Sequence, residues 1–148
     1  ILDGGQCSVG VESTIVDMTG KQAVILRAGG TTLEALEDFL NEKVLLSHGD
    51  PNQPSAPGQL LKHYAPGKPL RINAAERKDG EFYIGSVSDS DINLSPSGNL
   101  EEAASRLFAF LRFADRQNGY NGICMSPIPE TGLGLAINDR IRRAAYKE

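Results

Sequence analysis

Cysteine is scarce in this chain: two residues among 148, Cys7 and Cys124, far apart in sequence. A disulfide framework needs more than that, and no C-x-x-C or His/Cys cluster suggests structural zinc. Two reduced thiols in a cytoplasmic protein is the reading. A basic excess is also missing. Lys+Arg number 15 against 19 Asp+Glu, for a formal net charge of -4. A nucleic-acid-binding surface shows a basic excess or stripe, so strong direct nucleic-acid binding is not expected. The basic residues are scattered apart from Arg140, Arg142 and Arg143, which read as a solvated helix end complementing the helix dipole. No apolar run approaches the ~20 residues that span a membrane, and no signal peptide is visible. The first residues are Ile1-Leu2-Asp3 rather than methionine, which reads as an excised or processed chain.

What is present falls into three regions: 1–46, 47–69 and 70–148. In the first, Ser13 to Asp17 and Ala23 to Leu26 are β-branched and apolar, as strands are. Leu33, Leu36, Phe39 and Leu40 recur at helical spacing, with Thr31 or Thr32 as N-cap and Glu34 at the positive helix start. Two strands and a helix bury too little apolar surface to stand alone, so this region reads as the end of a larger domain. The second region holds Pro51, Pro54, Pro57, Pro66 and Pro69 with Gly49, Gly58 and Gly67. That density excludes regular helix or internal strand, yet Leu60, Leu61, His63 and Tyr64 make it less polar than a pure spacer. Long segments of this kind serve as lids or linkers.

The third region alternates strand and helix. Leu70 to Ile72, Phe82 to Ser86 and Gly122 to Met125 read as strands. Leu100 to Asn118 reads as a helix with Asn99 as cap and Gly119 as a left-handed stop, and Leu133 to Lys147 as a last helix. The alternation predicts an α/β fold with a parallel-type sheet.

Four places could carry chemistry. Gly4-Gly5, Gly10 and Val11-Glu12-Ser13-Thr14 form a glycine-interrupted run entering a strand. It is either an ordinary turn or a loop whose amides and hydroxyls meet an anion; it is neither a Walker loop nor a dinucleotide fingerprint. Arg27 ends a β-type run before Ala28-Gly29-Gly30, placed for a bidentate hold on phosphate or for a surface ion pair. His63-Tyr64 could close over a ligand or anchor the linker. Gly132-Leu133-Gly134 opens the last helix, where an anion or close packing would both fit.

Asp3 to Asp17 (D-G-G-x-C-x-V-G-V-E-S-T-I-V-D) and Ile25 to Gly29 (I-L-R-x-G) resemble the end of a YrdC-like catalytic domain. Ala56 to Gly58 and His63 to Pro66 (A-P-G, then H-Y-A-P) resemble the interdomain linker of the long, two-domain form of L-threonylcarbamoyladenylate synthase. Gly132 to Ala145 (G-L-G-L-A-I-N-D-R-I-x-R-A-A) resembles that form's last helix. The matches fall in family order and cover nearly the whole chain, the least distinctive stretch being Leu70 to Leu100.

The resemblance implies a C-terminal fragment: the remnant of the YrdC-like domain over 1–46, a linker or lid over 47–69, and a small Rossmann-like domain over 70–148. It implies an enzyme that condenses L-threonine, bicarbonate and ATP, with Mg²⁺, into L-threonylcarbamoyl-AMP and pyrophosphate. The product passes to a tRNA-modifying complex. By position, Ser13 resembles the serine near threonine, and Arg27 and Tyr64 resemble residues that reach ATP. Pro57, Gly58, His63 and Tyr64 resemble lid positions. Two departures stand out: Gln59, Leu60 and Leu61 occupy positions where the family often has Met-Lys-Tyr, and Ala28 replaces a frequent proline. The 148 residues alone are expected not to make the adenylate, and their orphan strand edges are expected to invite pairing between copies. The competing reading is a non-catalytic regulatory, RNA-binding or partner-docking module of a translation-related protein.

Overall fold

A computed structural model describes residues 2, 7–47, 56–57, 64–85 and 89–146. Among these, ten elements form two sheets with helices against them.

The N-terminal sheet has the order β1-β2-β3, with β1 at Ile15–Asp17, β2 at Val24–Arg27 and β3 at Leu45–Leu46. β1 and β2 are antiparallel, whereas β2 and β3 are parallel. The parallel step requires a crossover, which α1 (Leu33–Leu40) supplies. Thr32 is its N-cap, the hydroxyl accepting from the Ala35 N–H at 3.3 Å. Leu33, Leu36 and Leu40 pack with Ala23, Ile25 and Val44. Phe39 does not: it is 85% exposed, a correction to its assignment to the apolar face. Its helical angle lies off the Leu33–Leu36–Leu40 stripe. β3 was not anticipated, because two exposed leucines give no period-2 pattern.

The C-terminal sheet has the order β4-β7-β5-β6, all parallel: Leu70–Arg71, Gly122–Met125, Glu81–Gly85 and Ile92–Asn93. Phe82 and Ile84 of β5 and Ile123 and Met125 of β7 face one side, where they form a core with Leu107 and Leu111 of α2 (Leu100–Asp115) and Ile137 and Ile141 of α3 (Leu133–Ala145). Tyr83 and Cys124 alternate to the other side, under Ala74. Both helices thus share one face among the described residues, whereas a doubly wound sheet carries them on both.

Asn99 caps α2 through Glu101 and Glu102 N–H groups, as its position predicts. The helix stops at Asp115, three residues earlier than Asn118. Gly119 is left-handed (φ 89°), but it lies in the turn beyond the helix. The stop is tied to the incoming chain. The Asp115 carboxylate accepts from Gly67 N–H (3.1 Å) and Lys68 N–H (2.9 Å), while the Lys68 ammonium donates to the terminal carbonyls of Ala114 and Asp115 and to that of Gln117 just beyond the helix. A cation on these orphan carbonyls complements the helix dipole. No described helix is long and apolar enough to cross a membrane.

Leu107 is fully buried, so Leu107→Ala should lower the unfolding free energy by about 2–5 kcal/mol in denaturant titration. Glu81 accepts from Arg71 at 2.9 and 2.5 Å, and that hydrogen bond draws its carboxyl from an ordinary 4.5 to about 2. Its contribution to stability is therefore present above pH 4.5 and lost as pH falls from there through 2. Urea midpoints of Glu81→Gln measured across that window should vary less with pH than those of the parent chain.

Candidate functional site

The segment 10–14 lies between the two sheets and is held at nearly every residue. Gly10 has φ 68°, and a Cβ there would stand 2.3 Å from Ser105 Cα, so the chain passes directly over α2. The Glu12 carbonyl accepts from Gly30 N–H at 3.1 Å. Thr14 and Thr31 exchange two hydrogen bonds, at 2.6 and 3.1 Å. Gly29 closes the turn opposite: a Cβ would lie 2.2 Å from the Glu12 carbonyl oxygen and 2.4 Å from Thr14 N, both backbone.

Arg27 and Ser13 come together. The Arg27 guanidinium donates to the Ser13 carbonyl (3.2 and 2.9 Å), the Ser13 hydroxyl (3.1 Å) and the Pro57 carbonyl (3.0 Å). A planar fork suits several acceptors in one plane. Here it joins the loop to Pro57 of the Pro-rich segment, with Ser13 exposed. Gly58 and His63 lie outside the described residues, as does most of 47–69.

Tyr64 is described, and its backbone is left-handed (φ 63°), which is strained for a bulky side chain. Its ring lies 4.7 Å from that of Phe108 on α2, and its hydroxyl donates to the Glu12 carboxylate. Tyr64 and Glu12 also line a cavity of about 580 Å³ with Cys7, Phe108, Leu111 and Arg112. Ser13 and Arg27 are not among its lining residues.

The other oxygen of Glu12 meets Arg140. This side chain is 1% exposed, which corrects the expectation of a solvated basic end for α3. Its Nε donates to Glu12 at 2.8 Å, one terminal nitrogen to Asp139 at 2.5 Å and the other to the Ala28 carbonyl at 3.1 Å. Arg143 is also mostly buried, on Asp139 at 2.9 Å; only Arg142, half exposed beside Glu130, matches the expectation. Burial alone would raise the Glu12 pKa, but the hydrogen bond from Arg140, with the charges of Arg140 and Arg27, holds it below its ordinary value.

Sequence reasoning missed Arg140 and gave Glu12 no role of its own. The signal was present for the first: Leu133, Ala136, Ile137, Ile141 and Ala144 form the apolar stripe, and Arg140 sits seven residues after Leu133 and four after Ala136, inside that stripe. At the start of α3, the Gly132 N–H donates to Glu34 of α1 at 3.0 Å, so this helix end does hold an anion, a carboxylate of the chain itself. Gly134 provides the close packing: a Cβ there would be 1.9 Å from the Pro129 carbonyl oxygen.

These features define a mixed α/β protein with a parallel sheet and a loop pinned by cations between two sheets. The family model described as threonylcarbamoyl-AMP synthase, C-terminal domain, matches residues 31–146, and the chain belongs to that family. A threonylcarbamoyl-AMP synthase of Pyrococcus abyssi is 34% identical over 98% of this chain and 48% of its own length. One of Bacillus subtilis is 32% identical over the same shares. A crystal structure of P. abyssi Sua5 complexed with L-threonine superposes with a TM-score of 0.81 at 32% identity, covering 97% of this chain and 48% of that one. The chain therefore spans about half the length of the curated relatives it matches.

The contact at Gly29 is with backbone, which cannot swing aside. Gly29→Ala should cost about 1–3 kcal/mol in chemical unfolding, whereas Gly20→Ala, whose Cβ would meet only the Gln22 carbonyl oxygen at 3.7 Å, should stay within about 0.5 kcal/mol.

Proposed function

We propose that this chain is the C-terminal half of an L-threonylcarbamoyladenylate synthase, with Ser13 beside L-threonine and Arg27 and Tyr64 beside ATP. The observation that carries the reading is the Arg27 fork. One guanidinium joins Ser13 to Pro57, so the residue resembling the threonine-site serine, the residue resembling the ATP-site arginine and a residue of the proposed lid converge. Relatives named threonylcarbamoyl-AMP synthase and a relative's complex with L-threonine support the reading of the chain as part of such a synthase.

In this reading the threonine amine attacks the carbon of bicarbonate, and a C–O bond of bicarbonate breaks with loss of water to leave the carbamate. A carbamate oxygen then attacks the α-phosphorus of ATP, and pyrophosphate leaves. Arg27 supplies positive charge where negative charge gathers. Residues 47–69 form a lid that keeps water from the labile carbamate, and Tyr64 reaches from it toward the nucleotide. The segment 1–46 is the end of the catalytic domain and 70–148 a small α/β domain, Rossmann-like in its parallel strand order but with both described helices on one face. Product passes to a tRNA-modifying complex. Mg²⁺ would accompany the triphosphate, although no group of three or more His, Cys, Asp or Glu among the described residues could hold a metal ion.

The test is ATP- and threonine-dependent pyrophosphate release by the full-length protein. Arg27→Ala and Tyr64→Ala should each lower it by about a hundredfold with melting temperatures little changed. Undiminished rates in both variants would return Arg27 and Tyr64 to a structural role.

A further inference from the structure

Arg140 has no task in the proposed reaction, yet no other charged side chain among the described residues is so fully enclosed. A guanidinium is kept from water only where its donors are met. Two of its three partners, the Glu12 carboxylate and the Ala28 carbonyl, lie on the N-terminal part, more than a hundred residues away in sequence. These two points bracket the site. Glu12 is bonded through the chain to Ser13, and Ala28 directly follows Arg27. On the other side, Asp139 is shared between Arg140 and Arg143, so the guanidinium is anchored to its own helix. A row of alternating charges results: Arg27, Glu12, Arg140, Asp139, Arg143.

We infer that Arg140 is a positioning residue for the threonine-binding loop: α3 sets the placement of Ser13 and Arg27 by gripping Glu12 and the Ala28 carbonyl in one plane. The inference rests on the assignment of Ser13 and Arg27 proposed above. It gives the C-terminal layer a defined part in the reaction, although none of its residues touches substrate in this account. The grip is geometric as well as electrostatic. Guanidinium presents Nε and a terminal N–H to two separate acceptors, which a lysine ammonium cannot span together. Glu12 also accepts from Tyr64, so the same carboxylate that Arg140 orients carries the proposed lid residue.

The experiment uses the full-length protein with Arg140→Met, Arg140→Lys and Glu12→Gln, and with Arg142→Met as a control on the exposed side of the same helix. Initial rates of pyrophosphate release give KM for threonine and for ATP, and kcat; melting temperature is measured in parallel. Arg140→Met should raise the threonine KM roughly tenfold or more, since small misplacements of binding groups carry large penalties, with the ATP KM changed less. Arg140→Lys should recover melting temperature ahead of threonine KM. Glu12→Gln keeps the shape of the side chain and should move the threonine KM in the same direction. Arg142→Met should change neither.

A purely structural Arg140 would lower the active fraction, and so kcat, at unchanged threonine KM, and that result overturns the inference. If Arg140→Met does not accumulate as folded protein, the Arg140→Lys and Glu12→Gln measurements decide, an unchanged threonine KM in both being the overturning result. Failure of the underlying assignment looks different: the parent protein would show no threonine-dependent pyrophosphate release, or Ser13→Ala would leave threonine KM untouched.

Discussion

A buried guanidinium has to be satisfied on all sides, and that requirement at Arg140 organises the junction of this molecule. Breaking one partner of such a buried pair typically costs about 3–5 kcal/mol, because the remaining charge is left unmatched. Glu12, Asp139 and the Ala28 carbonyl are therefore fixed relative to α3. Other features follow from the same placement. With Glu12 held, its carbonyl meets Gly30 N–H, its second carboxylate oxygen is open to Tyr64, and Ser13 falls within reach of Arg27. The Gly132–Glu34 contact repeats the theme at the start of α3, tying it to the start of α1.

The C-terminal sheet makes that grip rigid. α3 is locked by Ile137 and Ile141 in the core, and Asn138 donates to the Ile128 carbonyl at 3.1 Å, steadying the loop that enters the helix. α2 contributes on both sides: its apolar stripe fills the sheet face, Ser105 supports Gly10, and Phe108 backs Tyr64. Its far end clamps Gly67 and Lys68 through Asp115. The chain between Tyr64 and β4 is thus fixed at two points on one helix. This is a physical reason why a segment rich in proline and glycine ends in a defined place.

Much of the fold could be read along the chain. Strands at Gly122–Met125 and near Glu81–Gly85, the Asn99 cap and the three helices follow from period, β-branching and capping chemistry. The misses share a cause. β3 and β6 are two residues long and exist through pairing with β2 and β5 rather than through any local preference. Phe39 counted as core because it is apolar and near the right spacing, but only the packing of α1 decides which angle of the helix meets β2. At the candidate site, Ser13, Arg27 and Tyr64 stand out along the chain as residue types in motifs. That Arg27 bonds Ser13 and Pro57, and that Tyr64 bonds the neighbouring Glu12, does not.

The sequence by itself determined an α/β chain with a parallel sheet, its helix starts, and the family to which it belongs, because periodicity, caps and short motifs are local properties of neighbouring residues. Only the tertiary structure decided that Arg140 is buried rather than solvated and that Glu12 is shared between it and Tyr64. It also placed α2 and α3 on one face of the sheet. Each of these depends on which distant segments exclude water from one another, and a charge's environment is set by that exclusion rather than by its neighbours in the chain.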